Sequence, residues 1–157
     1  MLFKEMRRKD FELPEEEAKK ILAKCQYITL AMMGENGYPY SLPVSFVYND
    51  GKFFIHGYKS GHKVEALTYH EQVSFSAVYE NAVDPGGFTV NYTSIVAFGR
   101  ARQLDVSEKE QAIRLVIEKY SAEHKEKGLR VVQGLRNEFT AFEITIDHIT
   151  GKSSVKK

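Results

Sequence analysis

Asn49-Asp50-Gly51 lies between two β-rich runs, residues 40–48 and 52–56. No other feature limits the fold as strongly. Asparagine and aspartate tolerate, and glycine supplies, the positive φ of a tight hairpin turn, so the flanking runs are expected as antiparallel neighbours. Pro43 interrupts the first run. Proline cannot donate to a ladder, so this strand is expected at an edge, at a bulge or where pairing stops.

Residues 27–33 are another β-rich run, followed by the turn signal Gly34-Glu35-Asn36-Gly37. Residues 73–79 and 93–105 add two more, the second interrupted by Gly99, where a bulge or bend is expected. Between them, residues 81–87 read as a loop containing Asp84-Pro85-Gly86-Gly87. Residues 140–150 alternate Phe142, Ile144 and Ile146 with Glu143, Thr145 and Asp147, the period of a half-buried strand. Helical spacing is found at Ala18, Ile21, Leu22 and Cys25 after Pro14 and three glutamates, which suit a helix start. A short helix is expected over residues 62–69, with Val64 and Leu67 inward. A longer one is expected to be capped by Ser107 with Glu110 and to bury Ile113, Val116, Ile117 and Tyr120. Gly128 falls beyond its end, and residues 130–137 are left for one or two further turns. Six strands joined mostly by hairpin-like connections, with three or four helices and no sustained strand–helix–strand alternation, predict an α+β protein with an antiparallel barrel rather than a parallel doubly wound sheet.

The 157 residues suit one domain, residues 1–157, with an arm at 1–13 and a polar tail at 151–157. Lysine plus arginine is 22 and aspartate plus glutamate 21, so the net charge of +1 offers no electrostatic case for nucleic acid. No apolar run approaches the roughly 20 residues of a membrane helix. The first ten residues do not read as a secretory signal, and Cys25 has no second cysteine to pair with. A cytoplasmic protein without membrane or nucleic-acid partners is expected. Cys25 lies on the apolar face of the first helix, as packing rather than as a nucleophile. His70, His124 and His148 have no neighbours at metal-ligand spacing, and no Gly-x-Ser-x-Gly elbow occurs.

The segment most suggestive of chemistry is residues 52–67. A strand ends at His56, a loop follows with Gly57, Ser60 and Gly61, and a helix starts near His62. Helix N-termini carry unpaired N–H groups and favour anions. Lys59, Lys63 and His62 can add charge, Ser60 a donor, and the glycines room for close approach. Taken alone, this is a phosphate-type cradle or a polar connection with solvated lysines. Tyr38, Tyr40, Phe46, Tyr48 and Tyr58 lie nearby and could stack on a ring or fill the core.

This segment, with Tyr40-Ser41-Leu42-Pro43-Val44-Ser45-Phe46 before it, resembles the pyridoxamine 5'-phosphate oxidase-like, FMN-binding split-barrel superfamily, and within it the nitroimidazole-resistance branch. Met6-Arg7-Arg8-Lys9-Asp10, residues 94–101 and Ile149-Thr150-Gly151-Lys152 carry the likeness along the rest of the chain. The resemblance implies a six-stranded antiparallel split barrel with flanking helices, in a homodimer with flavin at the subunit interface. It implies that Ser41, Pro43, Val44 and Ser45 line the flavin through backbone groups. His56 and Gly57 would sit beside the cofactor at a strand end. Ser60, His62 and Lys63 would hold the phosphate, and Ser94 would reach a flavin from the neighbouring subunit. His56 is the candidate catalytic residue.

The oxidase proper has an arginine near Ser41, a lysine near Phe46 and an arginine at His62, and this chain departs at all three. The resemblance therefore points to an FMN protein, with FAD as the alternative, that takes electrons from NAD(P)H and reduces small molecules such as nitroaromatics. A non-catalytic flavin- or haem-binding module and an oxidase of the parent type are the competing readings. Residues 81–92, with Phe88 and Tyr92, are a candidate loop over the cofactor.

Overall fold

The structure is a computed structural model and describes residues 3–155. The strands are β1 (Glu12–Leu13), β2 (Tyr27–Met33), β3 (Pro39–Ser45), β4 (Val47–Asn49), β5 (Lys52–Tyr58), β6 (Gln72–Asp84), β7 (Thr89–Gln103) and β8 (Phe139–Ser153). The helices are α1 (Glu15–Lys24), α2 (His62–Tyr69), α3 (Val106–Ser121) and α4 (Lys125–Gly134). All pairings are antiparallel, in the order β3-β2-β6-β7-β8-β5-β4, with β1 on β8. The expected α+β split-barrel architecture is present with eight strands instead of six. One extra strand is β1, formed by part of the arm where Glu12 and Leu13 pair with Lys152 and Gly151. The other arises because the run at residues 40–48 is two strands that change partners at Phe46. The outermost residues of the expected arm and tail, 1–2 and 156–157, lie outside the described residues.

The ends of the hydrogen-bonded path, β3 and β4, are separated in the chain by Phe46 alone. The sheet must therefore curl until its two edges meet there, although no ladder joins them. The interior is filled by alternate residues of each strand. Phe46 stacks on Phe53 at 4.4 Å and Phe53 on Phe75 at 4.6 Å, with Ile28, Leu30, Ile55, Ile95 and Ile144 fully buried around them. Helix α1 adds Ala18 and Leu22 to this core. Burying one such leucine contributes roughly 1.5–3 kcal/mol. Cys25 is buried at the helix end, where desolvation raises its thiol pKa, in keeping with a packing role.

Helices α3 and α4 cover the outer side of β5 and β8 through Ile113, Val116 and Val132 against Val47, Phe54 and Phe139. That cover explains why consecutive residues Ala141 and Phe142 are both buried. Three local expectations are corrected. The cap of α3 is Asp105, paired reciprocally with Glu108, not Ser107 with Glu110; β7 ends at Gln103, so the first of two acceptable boxes starts the helix. Gly128 does fall beyond the end of α3, but the following helix starts at Lys125 and not near residue 130, so the glycine is inside α4; a Cβ there would lie 3.2 Å from Ile117, so it permits close packing. Residues 81–92 are not an irregular loop but the end of a hairpin: β6 and β7 stay paired out to Asp84 and Thr89, and Asp84 accepts from Gly87 N to close the turn. No described helix is long and apolar enough to cross a membrane.

Candidate functional site

The change of partners at Phe46 leaves a gap. β3 pairs only with β2, and β4 covers β5 only from Lys52 to Phe54. The remainder of β5, Ile55 to Tyr58, therefore faces the gap from one side and β3 from the other, and the two strands approach across it. Alternate backbone groups along such free edges have no ladder partner.

Helix α2 sits at the mouth of this gap. Gly61 enters it with φ 112°, a conformation that favours glycine. The next two residues touch opposite edges. The His62 ring stacks on Tyr40 of β3, with centroids 4.0 Å apart and planes 17° from parallel. Lys63 Nζ donates to the carbonyl oxygen of His56 on β5 at 2.9 Å. The ammonium passes directly over Gly57, where a Cβ would lie 2.5 Å from Nζ. A strand–glycine–helix sequence thus places a cation and the open N–H groups of a helix start at one point.

His56 shares a face of β5 with Phe54, two residues away. Its Nδ1 is fully shielded and has no hydrogen-bond partner among the described residues. Desolvation, then the Lys63 charge, lowers the His56 pKa, so the imidazole is held neutral. Burial also lowers the pKa of Lys63. A shielded polar atom without a partner is unusual in a native interior.

The other expected residues divide. Ser41, Pro43 and Ser45 are exposed along β3, whereas Val44 points into the core. Ser60 is exposed in the loop before α2. Lys59 is drawn away from the helix start: its ammonium pairs with Glu138 at 3.1 Å, and the same carboxylate accepts from the Tyr58 hydroxyl. Ser94 is not brought to this site within one chain. It pairs with Lys152, while His56 pairs with Ala141, and those partners are separated along β8 by roughly 35 Å at about 3.3 Å per residue. Of the aromatic residues, Phe46 belongs to the core, Tyr40 holds His62, and Tyr38 is exposed. Glu138, which holds the surroundings of the gap, was not among the expected residues, and Tyr120 was expected only on the buried face of its helix; it is part-exposed, and the partners of both are distant in sequence. No group of histidine, cysteine, aspartate or glutamate side chains suited to a metal ion occurs among the described residues.

Residues 14–153 match the model of the pyridoxamine 5'-phosphate oxidase family. The chain belongs to that family. The match runs from the start of α1 to the end of β8 and so includes every element around the gap. Solved structures of similar fold include a conserved hypothetical protein from Mycobacterium tuberculosis, at TM-score 0.81 and 17% identity, covering 95% of this chain and 90% of that one. A candidate 5-nitroimidazole antibiotic resistance protein from Bacteroides thetaiotaomicron matches at TM-score 0.74 and 16% identity, covering 90% and 85%. A FAD-binding protein from Mesorhizobium loti matches at TM-score 0.68 and 20% identity, covering 92% and 96%. No curated protein matches the sequence.

Proposed function

We propose that this member of the pyridoxamine 5'-phosphate oxidase family binds a flavin, FMN, at the gap between β3 and β5 and works as an NAD(P)H-dependent reductase of small oxidised molecules such as nitroaromatics. The observation that carries this reading is the helix start whose consecutive residues His62 and Lys63 reach opposite strand edges, beside the unpartnered Nδ1 of His56. The FAD-binding structure from Mesorhizobium loti and the nitroimidazole-resistance candidate from Bacteroides thetaiotaomicron, which share the fold, support it.

The residues present fit such a group. An ammonium has three donors, so Lys63 can keep its bond to His56 O and still offer others to a phosphate. The free N–H groups at the start of α2, with Ser60 and His62 beside them, complete an anion site. The free edge of β3 along Ser41, Pro43, Val44 and Ser45 offers its alternate backbone groups, a carbonyl only at Pro43, to a heteroaromatic ring. A bound flavin supplies hydride and electron transfer at its ring, which no side chain here can do. His56, held neutral beside Lys63, is the side chain we assign to proton exchange with the bound group. Ser94, remote from the gap of its own chain, reaches a flavin only if two copies associate, so the functional unit is a homodimer. A single unpaired cysteine suits work in a reducing compartment such as the cytoplasm.

The absorption spectrum and mass of the ligand released from purified protein test the first step, with FMN expected. Anaerobic mixing of the loaded protein with NADH and with NADPH tests the second, with bleaching of the flavin band expected. A protein that retains no flavin after reconstitution refutes the binding site. Flavin that stays oxidised under excess of both donors refutes the reductase and leaves a flavin-holding module.

A further inference from the structure

We propose that the pocket between α3 and α4 is a second binding site, built for a small organic anion: a carboxylate, phosphate ester or sulfonate on a body about the size of one aromatic ring. The pocket lies on the helical layer, and its argument does not depend on the flavin reading. Ile113, Leu129 and Val132 give it apolar walls, and Arg114, Arg130 and Arg136 line it with guanidinium groups. Its volume of about 240 Å³ lies below the ~300 Å³ at which sites for larger ligands begin. A dinucleotide does not fit; one ring with a charged head does.

The charge of the pocket is unbalanced. Arg136 pairs with Glu110 at 2.9 Å. Arg114 has carboxylates one turn away in both directions, Glu110 and Glu118, the spacing at which helical ion pairs normally form. Glu110 is taken by Arg136, and Glu118 by Lys125 from the following helix. Arg114 and Arg130 are left without an ion-pair partner among the described residues. In four other surface cavities of the described residues, aspartates and glutamates equal or outnumber lysines and arginines. Here three arginines face one glutamate. Concavity focuses that positive potential. The planar fork of arginine matches two oxygens of a carboxylate, phosphate or sulfonate, while the apolar walls suit the body of the ligand.

Titration of the isotope-labelled full chain, with whatever cofactor it retains, tests this by amide NMR shifts. The probes are benzoate, phenyl phosphate and the neutral control benzyl alcohol. Both anions are expected to give saturable shifts confined to α3 and α4. Benzyl alcohol should bind at least about tenfold more weakly, and Arg114→Ala and Arg130→Ala should each weaken the anions by about tenfold, the typical worth of a charge-assisted contact. Both arginines are exposed, so amide positions elsewhere should stay unchanged in the variants and report an intact fold. Equal binding of benzyl alcohol, shifts indifferent to both substitutions, or shifts clustered at α2 would each overturn the proposal.

Discussion

The Tyr120 hydroxyl accepts a hydrogen bond from Phe46 N at 3.0 Å and lies 2.8 Å from Phe46 O. Phe46 is the residue at which the chain leaves β3 and enters β4, so its backbone belongs to neither ladder. The last turn of α3 thus supplies the polar partner that the sheet cannot. The same hydroxyl reaches Gln26 O at 2.5 Å. Neighbouring Lys119 places its ammonium over the Phe46 ring at 3.7 Å and donates to Cys25 O at 2.7 Å. Two consecutive residues of one helix therefore hold the point at which the barrel splits.

Tyr120→Phe keeps the ring and removes only these bonds. Stranding the Phe46 amide and carbonyl is expected to cost about 1–3 kcal/mol. In a chain of this size that lowers Tm by roughly 2–10 °C, measurable by thermal unfolding followed by circular dichroism. The loosened edge of β3 should also release flavin faster. An unchanged Tm would show that water replaces the hydroxyl and that the junction needs no latch.

Lys63→Ala and Gly57→Ala act on one contact from opposite sides. The first removes the ammonium from the start of α2. Flavin retention is expected to fall by about tenfold or more, the usual effect of losing a charge-assisted contact, with the fold intact. In the second, a new Cβ would lie 2.5 Å from Lys63 Nζ. The far end of a flexible side chain gives way easily, so the variant should fold, with Lys63 pushed off His56 O and flavin retained less well than in the parent. The ratio of flavin to protein absorbance after gel filtration reads both. Full occupancy in Lys63→Ala would move the phosphate site elsewhere.

Much of the fold was legible because it rests on local patterns. The alternation through Phe142, Ile144 and Ile146 marks β8, and Gly99 marks the β7–β8 bulge, where a Cβ would lie 2.3 Å from Thr145 O. Pro43 marked an edge strand, and β3 is the end of the path; the change of partners at Phe46 carries no such mark, because the exchange of β2 for β5 is a long-range event. Ser107 and Asp105 both satisfy a capping pattern, and only the end of β7 decides between them. In the candidate site, Lys59 and Lys63 look equivalent in sequence. Glu138, remote in the chain, neutralises the first and leaves the second at the gap. Ser94 could be assigned only by resemblance, since nothing in its own stretch points to a partner across an interface.

The pH dependence of stability isolates His56. Its pKa in the folded protein lies below the reference value of 6.5, through burial first and the Lys63 charge second. In the unfolded chain it takes up a proton near 6.5. Between that value and the lower folded pKa, the unfolded state binds more protons, so stability rises with pH there. Acidification through this window must remove stability until the folded pKa is passed, after which His56 contributes no further change. His56→Gln cannot titrate and should lack this component. The quantity to follow is Tm of the parent minus Tm of the variant from about pH 5 to 7.5, a range that brackets the onset of the linkage. It should climb with pH below about 6.5 and level off above about 7, because the unfolded histidine is then also neutral. A flat difference across the range would mean that the imidazole titrates as freely in the folded protein as in the unfolded chain. That result would contradict the shielded, unpartnered Nδ1 on which the site reading depends.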